Sequence, residues 1–352
     1  MKVLVTGCCG YIGSHTCVEL IKAGYEVVGL DNFSNSKKDV LDRIFMITNE
    51  EITFYEGDMQ NIDILRRIFS ENKITSVIDF AAYKAVGESV SKPIEYYMNN
   101  VSSVLNLLKA MKEYHVKNLV FSSSATVYGD PEIVPITEEC KTGGTTNPYG
   151  TSKLFVEQIL KDTYNADKTN DFCILRYFNP IGAHDSGLLG ENPNGIPANL
   201  MPYICRVASK KLDHLSIYGN DYDTPDGTGV RDYIHVMDLA RGHVLALKKL
   251  EKEHSGLFIY NLGMGKGVSV LEMVETFKRV NKVDVPYIIA PRRPGDIATC
   301  YSNPSKAKAE LGFTCEKTLE DNLIKQLKAD SLIKICTTLD CSFDEIVEIV
   351  SE

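Results

Sequence analysis

The chain is expected to fold as an α/β protein around a doubly wound parallel sheet. Three features point there: short apolar runs alternate with helical patterns, a glycine-rich turn joins the first run to the first helix, and an acid ends the second run. Runs that are apolar throughout are buried on both faces, which needs helices on both sides of a parallel sheet.

Val3-Leu4-Val5 is the first strand, and Ile12 to Ala23 reads as a helix stopped by Gly24. Glu26 to Leu30 follows as the second strand, then Ile52 to Tyr55 and Ser76 to Phe80, with helical segments between them. Val101, Val104, Leu105, Leu108 and Met111 fall on one helical face. Leu119-Val120-Phe121 and Phe172 to Tyr177 complete the strand series. After Tyr177 the texture changes to loops rich in Gly, Pro, Asn and Asp, such as Gly190-Glu-Asn-Pro-Asn-Gly195, and long irregular stretches in a compact protein are usually binding loops. The expected division is a first domain at 1–177, with returning segments near 215–245, and a smaller α/β substrate-binding domain at 178–352, interwoven with it.

At 352 residues and 44% apolar content the chain can bury a large core. Its 38 basic and 47 acidic residues give −9, which argues against a nucleic-acid surface but leaves room for a small anionic ligand held by a few arginines. No apolar stretch has membrane-span length, and Met1-Lys2-Val3-Leu4-Val5-Thr6 runs into a structured motif rather than a signal peptide. A cytoplasmic setting with reduced thiols is therefore expected. The ten cysteines form no CxxC pairs, and Cys336 with Cys341 is too widely spaced to suggest a metal, so none is expected.

Thr6-Gly7-Cys8-Cys9-Gly10-Tyr11-Ile12-Gly13 lies between strand and helix. Its glycines permit a tight turn, close approach to a pyrophosphate and close helix–sheet packing, and the helix N-terminus favours phosphate. A glycine triplet alone is an ordinary strand–helix turn. Asp31, about twenty residues on, raises it to a Rossmann-type dinucleotide site, where a carboxylate takes a ribose diol and repels the 2′-phosphate of NADP. NAD is the expected cofactor.

Asn147-Pro148 opens another helix as N-cap and first-turn proline, placing Tyr149 and Lys153 one turn apart. An ammonium and the positive helix end would both lower the phenol's pKa from about 10 and make it a base for a sugar hydroxyl. On spacing alone a surface tyrosine beside a solvated lysine is as good a reading. Ser124 follows a strand, where hydroxyls face the ligand crevice, and could share that hydrogen bond.

Together these residues resemble the extended short-chain dehydrogenase/reductase family, with its TGxxGxxG and YxxxK signatures, and within it the enzymes that epimerise UDP-sugars at C4. Further segments carry the likeness: Lys84-Ala-Val-Gly-Glu-Ser89, Phe121 to Gly129, Arg176-Tyr-Phe-Asn-Pro180, Asn199-Leu-Met-Pro-Tyr203 and Gly227 to Asp238. It runs from residue 1 to about 315 and fades in the tail. The resemblance implies that Tyr149, with Ser124 and Lys153, takes the proton of the 4-hydroxyl while hydride passes to NAD. The keto-sugar then turns over and takes the hydride back. It implies NAD contacts at Gly7, Gly10, Tyr11, Ile12, Gly13, Asp31, Asn32, Phe33, Ser34, Asn35, Ser36, Asp58, Met59, Phe80, Ala81, Ala82, Lys84, Asn99, Ser124, Tyr149, Lys153 and Phe178. Nucleotide-sugar contacts would be Lys84, Ser124, Tyr149, Asn179, Asn199, Leu200, Ser216, Ile217, Tyr218, Arg231, Arg293, Asp296 and Cys300. Bidentate arginine suits a pyrophosphate.

Two departures from the family stand out: Cys8-Cys9 replaces a small pair, and Ala82 stands where glycine is common. Cys300 falls at the position resembling a substrate gate, where a small residue leaves space for an N-acetyl group, so UDP-N-acetylglucosamine and UDP-N-acetylgalactosamine are expected substrates too. Tyr301 is its neighbour. A homodimer is expected on the helix bearing Val101 to Met111 and the one beginning at Pro148. A 4,6-dehydratase or decarboxylase of the same family is the nearest rival, but Ala125-Thr126 carry no carboxylate for the elimination a dehydratase needs. A non-enzymatic NAD sensor on the same fold is the rival from another class.

Overall fold

A computed structural model describes residues 1–194, 199–293 and 295–323. Cys336, Cys341 and the tail lie outside the described residues. Seven strands form one parallel sheet in the spatial order Gly256–Leu262, Asp171–Tyr177, Asn118–Ser124, Ile74–Asp79, Lys2–Thr6, Glu26–Asp31, Thr53–Glu56. The first strand therefore sits beside both the second and the fourth, with Val3 opposite Val27 on one side and Ser76 on the other. The chain leaves that strand in opposite directions, and a crevice opens at the carboxyl ends there.

Both faces of the sheet are covered. Val5, Val18, Leu20 and Leu247 pack on one face. Leu4, Leu65, Leu107 and Leu160 pack on the other. The helix Val236–Glu253 and the strand Gly256–Leu262 return the chain to this layer. The strand Leu215–Tyr218 instead pairs with Tyr287–Ala290, and Val230–Arg231 lies between Val268–Ser269 and Thr299–Cys300. These small sheets surround a separate core that includes Met201, Ile204, Met273 and Phe277.

The expected helix at Val101 to Met111 is α-helical from Ser103 to Glu113, preceded by a π-turn over Met98–Ser102. Asn147 caps the next long helix, Pro148–Ala166, by accepting the Gly150 N–H at 2.9 Å. His235 likewise caps Val236–Glu253, accepting the Met237 N–H at 3.1 Å.

Asp171 begins its strand at the end of the sheet away from the crevice. Its carboxylate is buried with neither oxygen hydrogen-bonded. Burial, aided by the charge of Glu253, pushes it up to about 7. The folded state thus holds a proton that the unfolded chain, titrating near 4, releases, so stability declines between about pH 4 and 7 and stays low above. Asp171→Asn is expected to raise stability by roughly 1–2 kcal/mol at pH 8, an increment that shrinks towards pH 4. Thermal denaturation of both proteins across that range checks this.

Candidate active site

Gly7 leaves the first strand at φ +65°, donating its N–H to the Leu30 carbonyl at 2.8 Å. A Cβ on Gly13 would stand 2.1 Å from the Gly7 oxygen, and one on Gly7 would stand 3.0 Å from the Ala81 nitrogen. The helix Tyr11–Lys22 starts at Gly10 with no capping side chain, leaving its first amides for an anion. Cys8 and Cys9 are buried in the core beneath the loop, their sulfurs 3.8 Å apart. The eight cysteines among the described residues are free thiols.

Asp31 ends the second strand and is 8% exposed. It accepts the Cys9 N–H at 2.9 Å, the Phe33 N–H at 2.9 Å and the Ser36 hydroxyl at 2.8 Å. Asn32 donates to Asp58 at 2.9 Å, and Asn35 accepts the Asn194 N–H at 3.2 Å, so the two loops face each other. Ser34 joins them through its carbonyl. Met59 is buried close by. Phe80 lies tilted against the His243 ring, the centroids 4.6 Å apart, and the Ala81 N–H donates to the Thr6 hydroxyl at 3.3 Å. Ala82 follows it in the chain and is partly buried. Tyr11 donates its phenol proton to Gly182 O at 2.7 Å. Asn99 and Phe178 are both buried, Asn99 donating to Asn100 at 3.0 Å. These residues fit NAD: a cradle that side chains would fill, an uncapped helix start, and a carboxylate at the end of the second strand.

Tyr149 and Lys153 share the first turns of their helix and meet Ser124 at the end of the neighbouring strand. Lys153 is 4% exposed and donates to the Ser122 carbonyl at 2.6 Å, its ammonium 4.8 Å from the centre of the Phe121 ring. Burial lowers it to about 8, while Asp79 pulls it back up. The phenol departs from expectation. Burial holds Tyr149 above the usual tyrosine range, and the Ser124 hydroxyl only partly offsets this. The physical reason is that the Lys153 ammonium is directed to a backbone carbonyl instead of the phenol.

Several participants were not apparent from spacing. Asp79 accepts the Thr6 hydroxyl at 2.5 Å and is the buried countercharge of Lys153. Tyr177 is hydrogen-bonded to the hydroxyl of Ser122. Glu191 receives Lys84 at 2.8 Å and Asn199 at 2.6 Å. The apolar strand ends could have flagged Asp79; nothing in the loop pattern distinguished Glu191.

Beyond Lys84, Ser124 and Tyr149, the residues expected to hold the nucleotide-sugar lie on the small sheets, at a helix start and in a loop. Asn179 begins the strand Asn179–Ile181, which pairs with Tyr233–His235, and Asn199 with Leu200 opens a helix. Ile217 is buried in its core, so it can offer only backbone, whereas Ser216 and Tyr218 flank it on the other side of the strand. Arg293 lies over the Tyr218 ring at 4.7 Å and pairs with Asp296 at 2.8 Å. Arg231 donates to its neighbour Val230 O at 2.8 Å and is paired in register with Cys300. Cys300 packs against the cluster of Ala125, Tyr128 and Phe178, while the Tyr301 ring lies against Gly267.

The family model for the NAD dependent epimerase/dehydratase family matches residues 3–263. UDP-glucose 4-epimerase of Pasteurella multocida is 61% identical over 320 residues, covering 91% of this chain and 94% of that protein. The enzyme of the same name from Bacillus subtilis is 57% identical over 321 residues, covering 91% and 94%. Among solved structures, UDP-glucose 4-epimerase from Bifidobacterium longum in complex with NAD+ and UDP superposes with a TM-score of 0.92 at 54% identity, covering 94% of this chain and 98% of that one. A glycine cradle, a tyrosine–lysine helix and a match through both chain layers lead to one assignment: the chain belongs to the NAD dependent epimerase/dehydratase family.

Proposed function

We propose that this protein catalyses reversible epimerisation of UDP-sugars at C4 through a 4-keto sugar, with NAD held tightly. The observation that carries the reading is the grouping of Ser124, Tyr149 and Lys153 at the carboxyl end of the strand Asn118–Ser124, two strands from the one that leads into the glycine loop. When bound, NAD supplies a reversible hydride acceptor. Tyr149 takes the 4-hydroxyl proton and later returns it, and Ser124 keeps that proton path in line. Lys153, one turn away and anchored to the Ser122 carbonyl, is the buried cation of the site. Gly7, Gly10 to Gly13, Asp31 to Ser36, Asp58, Met59, Phe80 to Ala82, Lys84, Asn99 and Phe178 hold the dinucleotide. Asn179, Asn199, Leu200, Ser216 to Tyr218, Arg231, Arg293 and Asp296 hold the nucleotide-sugar.

The reading extends to N-acetylated UDP-sugars. Cys300, and not Tyr301, is the residue packed with Phe178 and Ala125 beside the catalytic serine. Its small side chain leaves room that a phenol would fill. Incubating the purified protein with each of the four UDP-sugars, without added reductant, should yield the C4 epimer in every case. Cys300→Tyr should lower N-acetyl turnover by about 10–100-fold and spare UDP-glucose. Absence of any epimer would end the functional reading; negligible N-acetyl rates in both proteins would end the broader one.

A homodimer fits an apolar face formed by Val86, Val90, Ile94, Met98, Leu105 and Phe155, all exposed in the single chain. Mass measurement in solution checks it. No helix among the described residues is long and apolar enough to cross a membrane.

A further inference from the structure

Glu191 stands between the cofactor side and the nucleotide-sugar side of the site. Its Oε1 accepts Lys84 Nζ at 2.8 Å and Asn199 Nδ2 at 2.6 Å. Lys84 belongs to the cofactor side and Asn199 opens the helix on the nucleotide-sugar side. Glu191 is 6% exposed, yet its Oε2 is buried with no hydrogen-bond partner among the described residues. A buried carboxylate oxygen without a donor is costly, and such atoms in a folded protein are normally satisfied. Its surroundings narrow what satisfies it. The Lys84 side chain is 42% exposed, so the pair opens outward on that side. The Tyr11 ring lies 6.0 Å from Lys84, and its hydroxyl is already committed to Gly182 O. Its phenol is held up by burial and by the charge of Glu191, which places the two groups within electrostatic reach.

A carboxylate accepts hydrogen bonds and repels phosphate. Both molecules assigned to this site carry diphosphates, which suit Lys84 and the helix starts, and both carry sugar hydroxyls, which suit Glu191. We infer that Glu191 is a ligand-binding residue whose Oε2 accepts a sugar hydroxyl of a bound nucleotide, while Oε1 ties the cofactor side of the site to the nucleotide-sugar side. The inference rests on the functional reading above for the identity of the two ligands. The hydroxyl belongs either to the cofactor or to the nucleotide-sugar, and the test separates them.

Glu191→Gln keeps an oxygen for Lys84 and Asn199 but replaces the accepting Oε2 with a donor. NAD retention on dilution, UDP-glucose affinity by calorimetry on NAD-saturated protein, kcat, KM and thermal midpoint are measured for wild type, Glu191→Gln and Glu191→Asp. Charge-assisted hydrogen bonds set the scale at roughly 10–100-fold in affinity. If the cofactor supplies the hydroxyl, NAD retention falls by that factor and UDP-glucose affinity is unchanged. If the nucleotide-sugar supplies it, KM and Kd for UDP-glucose rise by that factor, with kcat within about 3-fold and NAD retained. Either result supports the inference, and Glu191→Asp should recover part of the loss. It is overturned if Glu191→Gln binds both ligands as wild type does, or if the thermal midpoint and every function fall together as for a mere brace. A wild type that binds both ligands but forms no epimer would sink the functional reading and leave Glu191 standing.

Discussion

Tyr149→Phe is expected to reduce epimerisation by about 10²–10⁴-fold, the range that a positioned acid/base contributes. The substitution removes one oxygen and leaves the ring and its packing. Lys153 is anchored by the Ser122 carbonyl and the Phe121 ring, with no direct bond to the phenol, so it should stay in place. NAD content after gel filtration should therefore match wild type, and UDP-glucose should bind with little change. That combination separates a lost proton carrier from a damaged cofactor site. Retained turnover would remove Tyr149 from the chemistry. The unusual height of the phenol's pKa sharpens the expectation: burial makes proton release hard without a cation alongside, so Lys153→Met should show the same loss with its pH dependence altered.

The largest effect on stability is expected behind the catalytic helix. Glu157, two turns beyond Tyr149, is fully buried and faces Arg176, which is 2% exposed. The guanidinium donates to it twice, at 2.9 and 2.6 Å, and a third time to the Tyr128 hydroxyl at 3.0 Å. Ser123 adds another donor to Glu157 at 2.6 Å. Removing either member strands a buried charge, so Arg176→Met should cost about 3–5 kcal/mol, whereas the double change Arg176→Met with Glu157→Leu should cost less. Chemical denaturation of wild type and both variants measures this. Because Ser123 precedes Ser124 and Glu157 shares a helix with Tyr149, the single variant should also lose activity at temperatures below its unfolding.

Much of this was legible in one dimension because it depends on spacing along one element. The glycine loop, the acid ending the second strand, and Tyr149 with Lys153 all lie within single turns or a single strand–helix unit, where periodicity fixes relative position. Asn147 was readable as a cap for the same reason. What escaped were contacts between elements far apart in sequence. Glu191 meets Lys84 across 107 positions. Asp79 acts on Lys153 through strand neighbours whose order, with the first strand between the second and fourth, emerges only on folding. The direction of the lysine was missed too, since a one-turn spacing brings two side chains near without stating which acceptor wins.

The contrast between the two layers carries a chemical meaning. Tyr149 and Lys153 sit on a long helix that covers a seven-stranded sheet, whereas the groups assigned to the nucleotide-sugar lie on sheets of two and three short strands, at a helix start and in a loop. In the proposed reaction one phenol attends to two opposite faces of the same hexose. The inversion therefore has to come from the passenger: the nucleotide is the tether, the ring is the part that turns, and a site that gripped the hexose tightly in either orientation would work as a trap.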